Sequence, residues 1–405
     1  MDPSYPAEAE DFRVEVRTFL SEELPPDWAG LGSLNTREAH AFTERWRAVL
    51  GRRGYLAPTW PAEYGGGGLT KLQQVILVEE FAKAGVPANG ANDNFSIKMI
   101  GNLLLKHGTA EQKQTFLPRI VSGADRWCQG FSEPGAGSDL AGLATKARLD
   151  GDEWVIDGQK IWTSEATTAN WIFVLARTNR EAARHRGISM LLVPLDQKGI
   201  EIRPIRMISG TSAFSEVFFT GARTHVDNVV LGVDQGWQAA MTLLGLERGD
   251  EAATNPIMFR AEVDRLIALV RERSLGDDEV IRDQLARAYT KAEIMRFLGM
   301  RILTGWLRGE PPGTEASVSK LYWSEHHPAV TDLAMTVLGP AAMVPEGRHP
   351  LRHFRTDDPG APNSRASWST TWLTSFAGKI YAGTSEIQRN ILSETALGLP
   401  KETRG

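Results

Sequence analysis

The sequence contains a single cysteine, Cys128, among 405 residues. One thiol excludes an intrachain disulfide framework and a cysteine-based zinc or iron–sulfur site, and it fits a reducing, cytoplasmic compartment. No apolar run approaches the ~20 residues that span a bilayer. Met1-Asp2-Pro3-Ser4-Tyr5 has no basic stretch leading into an apolar one, so no secretory signal is expected. Excess positive charge is lacking too. Lys plus Arg number 45 against 50 Asp plus Glu, a net charge of −5, which argues against a nucleic-acid binder with a broad basic face. The eight histidines are scattered, and only His326-His327 and the pair His349 and His353 lie close together. Neither group has carboxylates at ligand spacing, so no metal site is expected. No Gly-x-Ser-x-Gly elbow is present, which removes the α/β-hydrolases. The glycine run 65–68 follows no strand and leads to no Gly-Lys-Ser/Thr, which removes a phosphate loop or dinucleotide fingerprint.

What is present is a globular balance, 42% hydrophobic and 23% charged, in a chain longer than one core usually holds. The hydrophobic period divides it into three parts, an α+β multi-domain arrangement. Residues 1–125 have helix spacing: Phe12, Val16, Phe19 and Leu20 recur together, and Thr70 and Thr109-Ala110-Glu111-Gln112 read as helix starts. Residues 126–232 carry short β-rich runs such as Trp171-Ile172-Phe173-Val174-Leu175, punctuated by Asp150-Gly151, Asp157-Gly158 and Lys198-Gly199. With no helix between them, these strands predict an antiparallel β-domain. The charged stretch 180–186 reads as a solvated connection. Residues 233–405 return to helix spacing, over roughly 236–250, 255–273, 279–308, 315–338 and 367–397, and predict a helical bundle. An irregular insertion over 345–362 interrupts it.

Three segments carry chemistry. Gly130-Phe131-Ser132-Glu133-Pro134-Gly135-Ala136-Gly137-Ser138-Asp139 offers glycines that let backbone N–H groups approach a ligand, hydroxyls, and carboxylates able to pin the loop. Gly158-Gln159-Lys160-Ile161-Trp162-Thr163-Ser164 sets a Trp beside hydroxyl donors, which suits a planar heterocycle with a polar edge. Gly383-Thr384-Ser385 enters a helix, where free N–H groups serve either an anion or a plain N-cap.

Taken in this order, and with Trp60-Pro61-Ala62-Glu63-Tyr64-Gly65-Gly66 ahead of them, these segments resemble the acyl-CoA dehydrogenase family along nearly the whole chain. The resemblance implies a helical N-terminal domain, a central β-domain, a C-terminal four-helix bundle and FAD held non-covalently between subunits of a homodimer or homotetramer. It implies an acyl-CoA thioester that gains an α,β double bond, with an electron-transfer flavoprotein as acceptor. Residue by residue, it implies that Phe131, Ser132 and Gly137 line the flavin and thioester, with Ser132 at the pyrimidine edge and Ser138 also on the pantetheine arm. Trp162, Thr163 and Ser164 would cover the ring, Ser164 near its redox nitrogen. Thr384 and Glu386 would hold the FAD ribose or diphosphate, and Gly383 would lie on the substrate.

Several positions depart from the family pattern. Many members carry the catalytic Glu just after the Tyr of the last motif, where this chain has Ala382. The family's second solution places the Glu on an earlier helix, and Leu243-Leu244-Gly245-Leu246-Glu247-Arg248-Gly249 matches it. Glu247 is therefore the expected base, positioned by Arg248, with the Ala382 N–H polarising the thioester carbonyl. The interface FAD contacts are altered to Thr336 and Gly339 within Thr336-Val337-Leu338-Gly339-Pro340, and the adenine clamp to Arg273 and Gln284. The moved base, with Gly245 and Gly249 beside it, points to a branched or bulky acyl group. Two alternatives remain on the same fold: a flavin oxidase or oxygenase of a biosynthetic pathway, and a non-catalytic subunit of a hetero-oligomeric dehydrogenase.

Overall fold

The computed structural model describes residues 5–308, 310, 313–349 and 364–401, and within these not the side chains of 246–253 and 306. Two compact units are formed, one from Met1–Thr59, Gly67–Asn89 and Arg248–Gly405, the other from Trp60–Gly66 and Gly90–Glu247.

The first unit begins with α1 (Ala7–Glu23), α2 (Thr36–Arg53) and α3 (Lys71–Ala84). Their starts are written locally. Asn35 and Glu38, and Thr70 and Gln73, each form a reciprocal capping box, and α2 and α3 end on left-handed Gly54 and Gly85. Phe12, Val16, Phe19 and Leu20 of α1 are buried. A charged cluster joins α1 to α3: Arg13 Nη1 donates to Glu80 Oε1 at 2.6 Å, and Arg17 and Lys83 also pair with Glu80. Burial raises Glu80, but the hydrogen bonds from Arg17, Lys83 and Arg13 outweigh it and hold its carboxyl down at about 2.

The same unit holds most of the long α6 (Gly236–Glu272), then α7 (Glu279–Leu307), α8 (Glu315–Leu338), α9 (Trp368–Ser375) and α10 (Ser385–Ile391). Between α3 and α6 in the chain lie α4 (Asn102–His107) and α5 (Ala110–Ser122), which belong to the second unit. Phe259, Val263, Leu266 and Val270 of α6 pack with Met295, Trp323, Val330 and Leu333 in one core. Two sequence expectations are corrected here. The break expected between 250 and 255 is absent, because α6 runs through Pro256. A proline inside a helix costs about 3 kcal/mol, and the buried face after it offsets that cost. Conversely, 367–397 is not one helix. It passes from α9 through a 3-10 turn at Phe376–Lys379 and a loop into α10, then a π turn at Leu392–Ala396. Residues 350–362 of the expected insertion lie outside the described residues.

The second unit contains a π-helical turn (Asn94–Gly101) leading into α4 (Asn102–His107), then α5 (Ala110–Ser122), which starts on a Thr109–Gln112 capping box. The π turn was not legible in the helix-spaced sequence. An eight-stranded sheet follows: β1 (Trp127–Gly130), β2 (Lys146–Asp150), β3 (Glu153–Ser164), β4 (Trp171–Arg177), β5 (Ile188–Pro194), β6 (Ile200–Ile205), β7 (Phe214–His225) and β8 (Val229–Val230). Its order is β6-β7-β3-β2-β4-β5-β8, with β1 on β4. Most pairs are antiparallel as expected. The exceptions are β1 on β4 and the single β2–β4 contact, Lys146 with Arg177, both parallel. Cys128, Ile156, Ile172, Val174, Leu191, Val193 and Val217 are wholly buried in its core. The stretch 180–186 is a surface connection from β4 to β5, and its Arg184 pairs with Asp139.

Candidate active site

In the second unit, the segments 130–139 and 158–164 are brought together. The Ile161 N–H donates to the Ser132 carbonyl at 2.9 Å. Lys160, fully buried, reaches from β3 to the Phe131 carbonyl at 3.0 Å and to Glu133 Oε1 at 2.7 Å. Glu133 also accepts the N–H groups of Ala144 and Thr145, at 2.6 and 2.9 Å. Burial pushes the Lys160 ammonium down to about 8 against the pull of Glu133. Burial raises Glu133 as well, but the Lys160 charge and the hydrogen bonds outweigh it, and the net shift is downward. Both directions describe one ion pair taken out of water. Glu133 thus pins the loop, through a lysine partner that the sequence reading did not single out.

Two residues further along β3 the backbone is strained. Pairing with β7 slips by one residue between Lys160 and Thr163, a bulge. Trp162 sits in it at φ +60°, a conformation rare for a bulky side chain. Its ring is 56% exposed and touches Phe214 edge-on at 6.0 Å. Thr163 is buried on the other side of the strand with its hydroxyl unpartnered, and Ser164 is half-buried opposite Phe214. Among the other expected residues, Phe131 is buried edge-on to Phe173, Ser132 is half-buried, and Gly137 and Ser138 are exposed in the turn. On β1, Gln129 holds a buried amide nitrogen without a partner among the described residues. It lies one residue before the expected segment 130–139 and carries no individual signal in the sequence.

In the first unit, the last motif is a braced loop. Ala382 and Gly383 have φ +53° and +89°, and Lys320 from α8 donates to the carbonyls of Gly378 and Gly383 at 2.8 and 2.7 Å. Thr384 caps α10, accepting the Ile387 N–H at 3.3 Å. Glu386 is exposed, and its own N–H followed by the Thr384 hydroxyl lowers its carboxyl. Arg273, just beyond α6, lines a cavity of about 1240 Å3 whose wall also includes Leu338 and Ala341, on either side of Gly339. Gln284 and Thr336 are exposed and do not line it. Glu247 and Arg248 belong to α6 by their backbone, and their side chains lie outside the described residues.

The N-terminal, middle and C-terminal domains of acyl-CoA dehydrogenases match residues 6–124, 128–222 and 234–397 in turn. The chain belongs to the acyl-CoA dehydrogenase family. It is accordingly an oxidoreductase acting on acyl-CoA, in a family of FAD-binding flavoproteins. It is 42% identical over 403 residues to acyl-CoA dehydrogenase IpdE1 of Mycobacterium tuberculosis, covering 98% of this chain and 100% of that one. Among solved structures it is similar to the Tcur3481–Tcur3483 steroid ACAD, with 33% identity, a TM-score of 0.80 and coverage of 99% and 100%. The ChsE4–ChsE5 complex of Mycobacterium tuberculosis follows, with 31% identity, a TM-score of 0.77 and coverage of 99% and 100%.

The β-unit fits the family's flavin on its own evidence. A large aromatic ring is held out of the core by a strained bulge of β3, and the buried amide donor of Gln129 on β1 has no partner among the described residues. Both are what a planar heterocycle with a hydrogen-bonding edge would satisfy. No helix among the described residues is long and apolar enough to cross a membrane, and no group of three His, Cys, Asp or Glu among them could hold a metal.

Proposed function

We propose that this chain is an FAD-dependent dehydrogenase that introduces an α,β double bond into a bulky, ring-bearing acyl-CoA thioester, working beside a second kind of chain. The strained bulge carrying Trp162 is the observation that carries the flavin reading. Left-handed backbone at a non-glycine residue costs of order 1–3 kcal/mol and persists where function uses it. Ring-bearing substrates are supported by the likeness to a steroid ACAD, and a second chain by that structure and the ChsE4–ChsE5 complex, each of which carries two names.

Bound FAD supplies the hydride acceptor and leaves the protein to bind, orient and deprotonate. Ser132 and Ser164 would present hydroxyls to the flavin edge, and Trp162 would lie across its ring. The Ala382 N–H would polarise the thioester carbonyl, which acidifies the α-carbon. Glu247 would take the α-proton as the β-hydrogen leaves with its electron pair, so that a C=C bond forms and no charge is left on the product. Arg273 and the turn at Gly339, which flank one cavity, would receive the adenine end of FAD, with Thr384 and Glu386 on its ribose or diphosphate. An electron-transfer flavoprotein would reoxidise the flavin.

A second reading, in which this chain only shapes a partner's site, is favoured by Ala382 standing where many members carry a carboxylate. Purification alone and with candidate partner chains, followed by anaerobic titration with steroid-side-chain and straight-chain acyl-CoA thioesters, tests both. Flavin bleaching by ring-bearing thioesters is expected. A flavin-free protein in every assembly overturns the proposal, and equal bleaching by short straight chains overturns its substrate class. Bleaching that survives Glu247→Gln would leave the second reading.

A further inference from the structure

Residues 131, 132 and 133 are each tied to β3 by a different bond. The Phe131 carbonyl accepts from Lys160 Nζ, the Ser132 carbonyl accepts from the Ile161 N–H, and the Glu133 carboxylate accepts from Lys160 Nζ again. Glu133 then spends its second oxygen on the Ala144 N–H and shares the first with Thr145, so the lysine's partner is itself fixed. The start of the adjoining turn is closed by paired hydrogen bonds between Glu133 and Ala136, both 3.0 Å. Behind β3 there is no slack. A Cβ on Gly158 would stand 2.5 Å from Thr145 Oγ1.

A wholly buried lysine is a costly way to join two segments. Apolar residues of similar volume often hold a core as well as an ion pair does, so retention of the charge asks for a reason beyond stability. Geometry supplies one. Lys160 stands two residues before Trp162 and four before Ser164, and its ammonium brackets Ser132 from both sides. It therefore sets the register of one polar wall against the other. An apolar contact between the same segments has no preferred direction, whereas two charge-assisted bonds do.

We propose that Lys160 is the positioning residue of this wall, holding Ser132 in fixed relation to Trp162 and Ser164 so that the flavin meets a preformed edge. The inference rests on the flavin reading above. It concerns orientation, so its signature is in how FAD is held and not only in whether the fold survives.

The test compares the parent with Lys160→Met/Glu133→Gln, which replaces the pair by neutral side chains of similar shape, and with Glu133→Gln alone, which keeps the lysine. Three quantities are read: the melting temperature of the apoprotein, the FAD dissociation constant on reconstitution, and the vibrational structure of the flavin's visible band. The double variant is expected to melt close to the parent and yet bind FAD at least about tenfold more weakly, with a blurred visible band. Glu133→Gln is expected to fall between. If either variant folds and holds FAD with the parent's affinity and spectrum, Lys160 is structural only and the proposal is overturned. A parent that takes up no FAD in any assembly overturns the flavin reading itself, and this proposal with it.

Discussion

The side-chain amide of Gln388 donates to the carbonyl of Ala382 at 2.9 Å, from the second turn of α10 back across the loop that precedes it. Gln388 is wholly buried, and a Cβ on Gly383 would meet its amide nitrogen at 2.6 Å. With Lys320 on the Gly383 carbonyl, the peptide units on either side of Gly383 are fixed. The Ala382 N–H lies one peptide unit further back, joined to this braced stretch through the Ala382 Cα at φ +53°, and presenting it needs no side chain at position 382.

This arrangement predicts that Gln388→Leu lowers turnover more than binding. Loss of the brace lets the Ala382 N–H drift from the thioester carbonyl, an interaction worth most as charge develops. A fall of about tenfold in kcat, with KM nearly unchanged, is the expected outcome in steady-state assays of the assembled enzyme. A rise in KM with kcat unchanged would mean that the brace serves binding alone.

Trp162 yields a prediction of opposite signs. Trp162→Gly relieves the left-handed strain, so the apoprotein should gain up to about 1 kcal/mol. The same change removes the exposed ring, so FAD affinity should drop. Thermal melts of the apoprotein and flavin titration check the two halves separately. Destabilised apoprotein would show that packing on Phe214 outweighs the strain.

Glu247→Gln should abolish flavin reduction while leaving the protein yellow. Removing a general base costs about 10²–10⁴-fold. Stopped-flow bleaching by a reactive thioester, without oxygen, is the measurement. Ala382→Glu in the Glu247→Gln background should recover part of the rate, and most readily with straight-chain thioesters.

Acid stability should depend on Glu80. Its folded value of about 2 lies below the ordinary 4.5, so the stability it contributes is fully present above 4.5 and is lost as pH falls towards 2. The shift corresponds to something on the order of 3 kcal/mol. Urea melts across that window should show a shallower loss for Glu80→Gln than for the parent. The variant should also be the weaker protein at neutral pH, since Arg13 would keep its burial and lose its nearest charge.

Local signals were legible and long-range ones were not. Thr70, and Thr109 with Gln112, predict their helix starts because a cap needs only about four residues. The β-rich runs locate the strands, since alternation and turn residues are also local. Pro256 misleads for the opposite reason: its cost is local, while the packing of Phe259 and Val263 that offsets it is tertiary. The parallel β1–β4 pairing joins Trp127 to Trp171, 44 residues apart, and no spacing rule reports it. At the site, the glycines and hydroxyls of 130–139 single out the loop, although taken alone they fit a polar turn as well. Lys160, which anchors it, looks like any exposed strand lysine until its partner 27 residues away is known.

Cys128 lies in β1, one residue before Gln129, with no exposed surface, and burial pushes its thiol up. The only sulfhydryl in the sequence is thus chemically silent while β1 stays paired with β4. Any modification by a thiol reagent must wait for that strand to open. The labelling rate of the unaltered protein is therefore a clock for breathing of the β-unit, readable with no mutation and no background. Cysteines introduced elsewhere on the surface would react first and alone, so probes can be placed at chosen positions in the otherwise native chain.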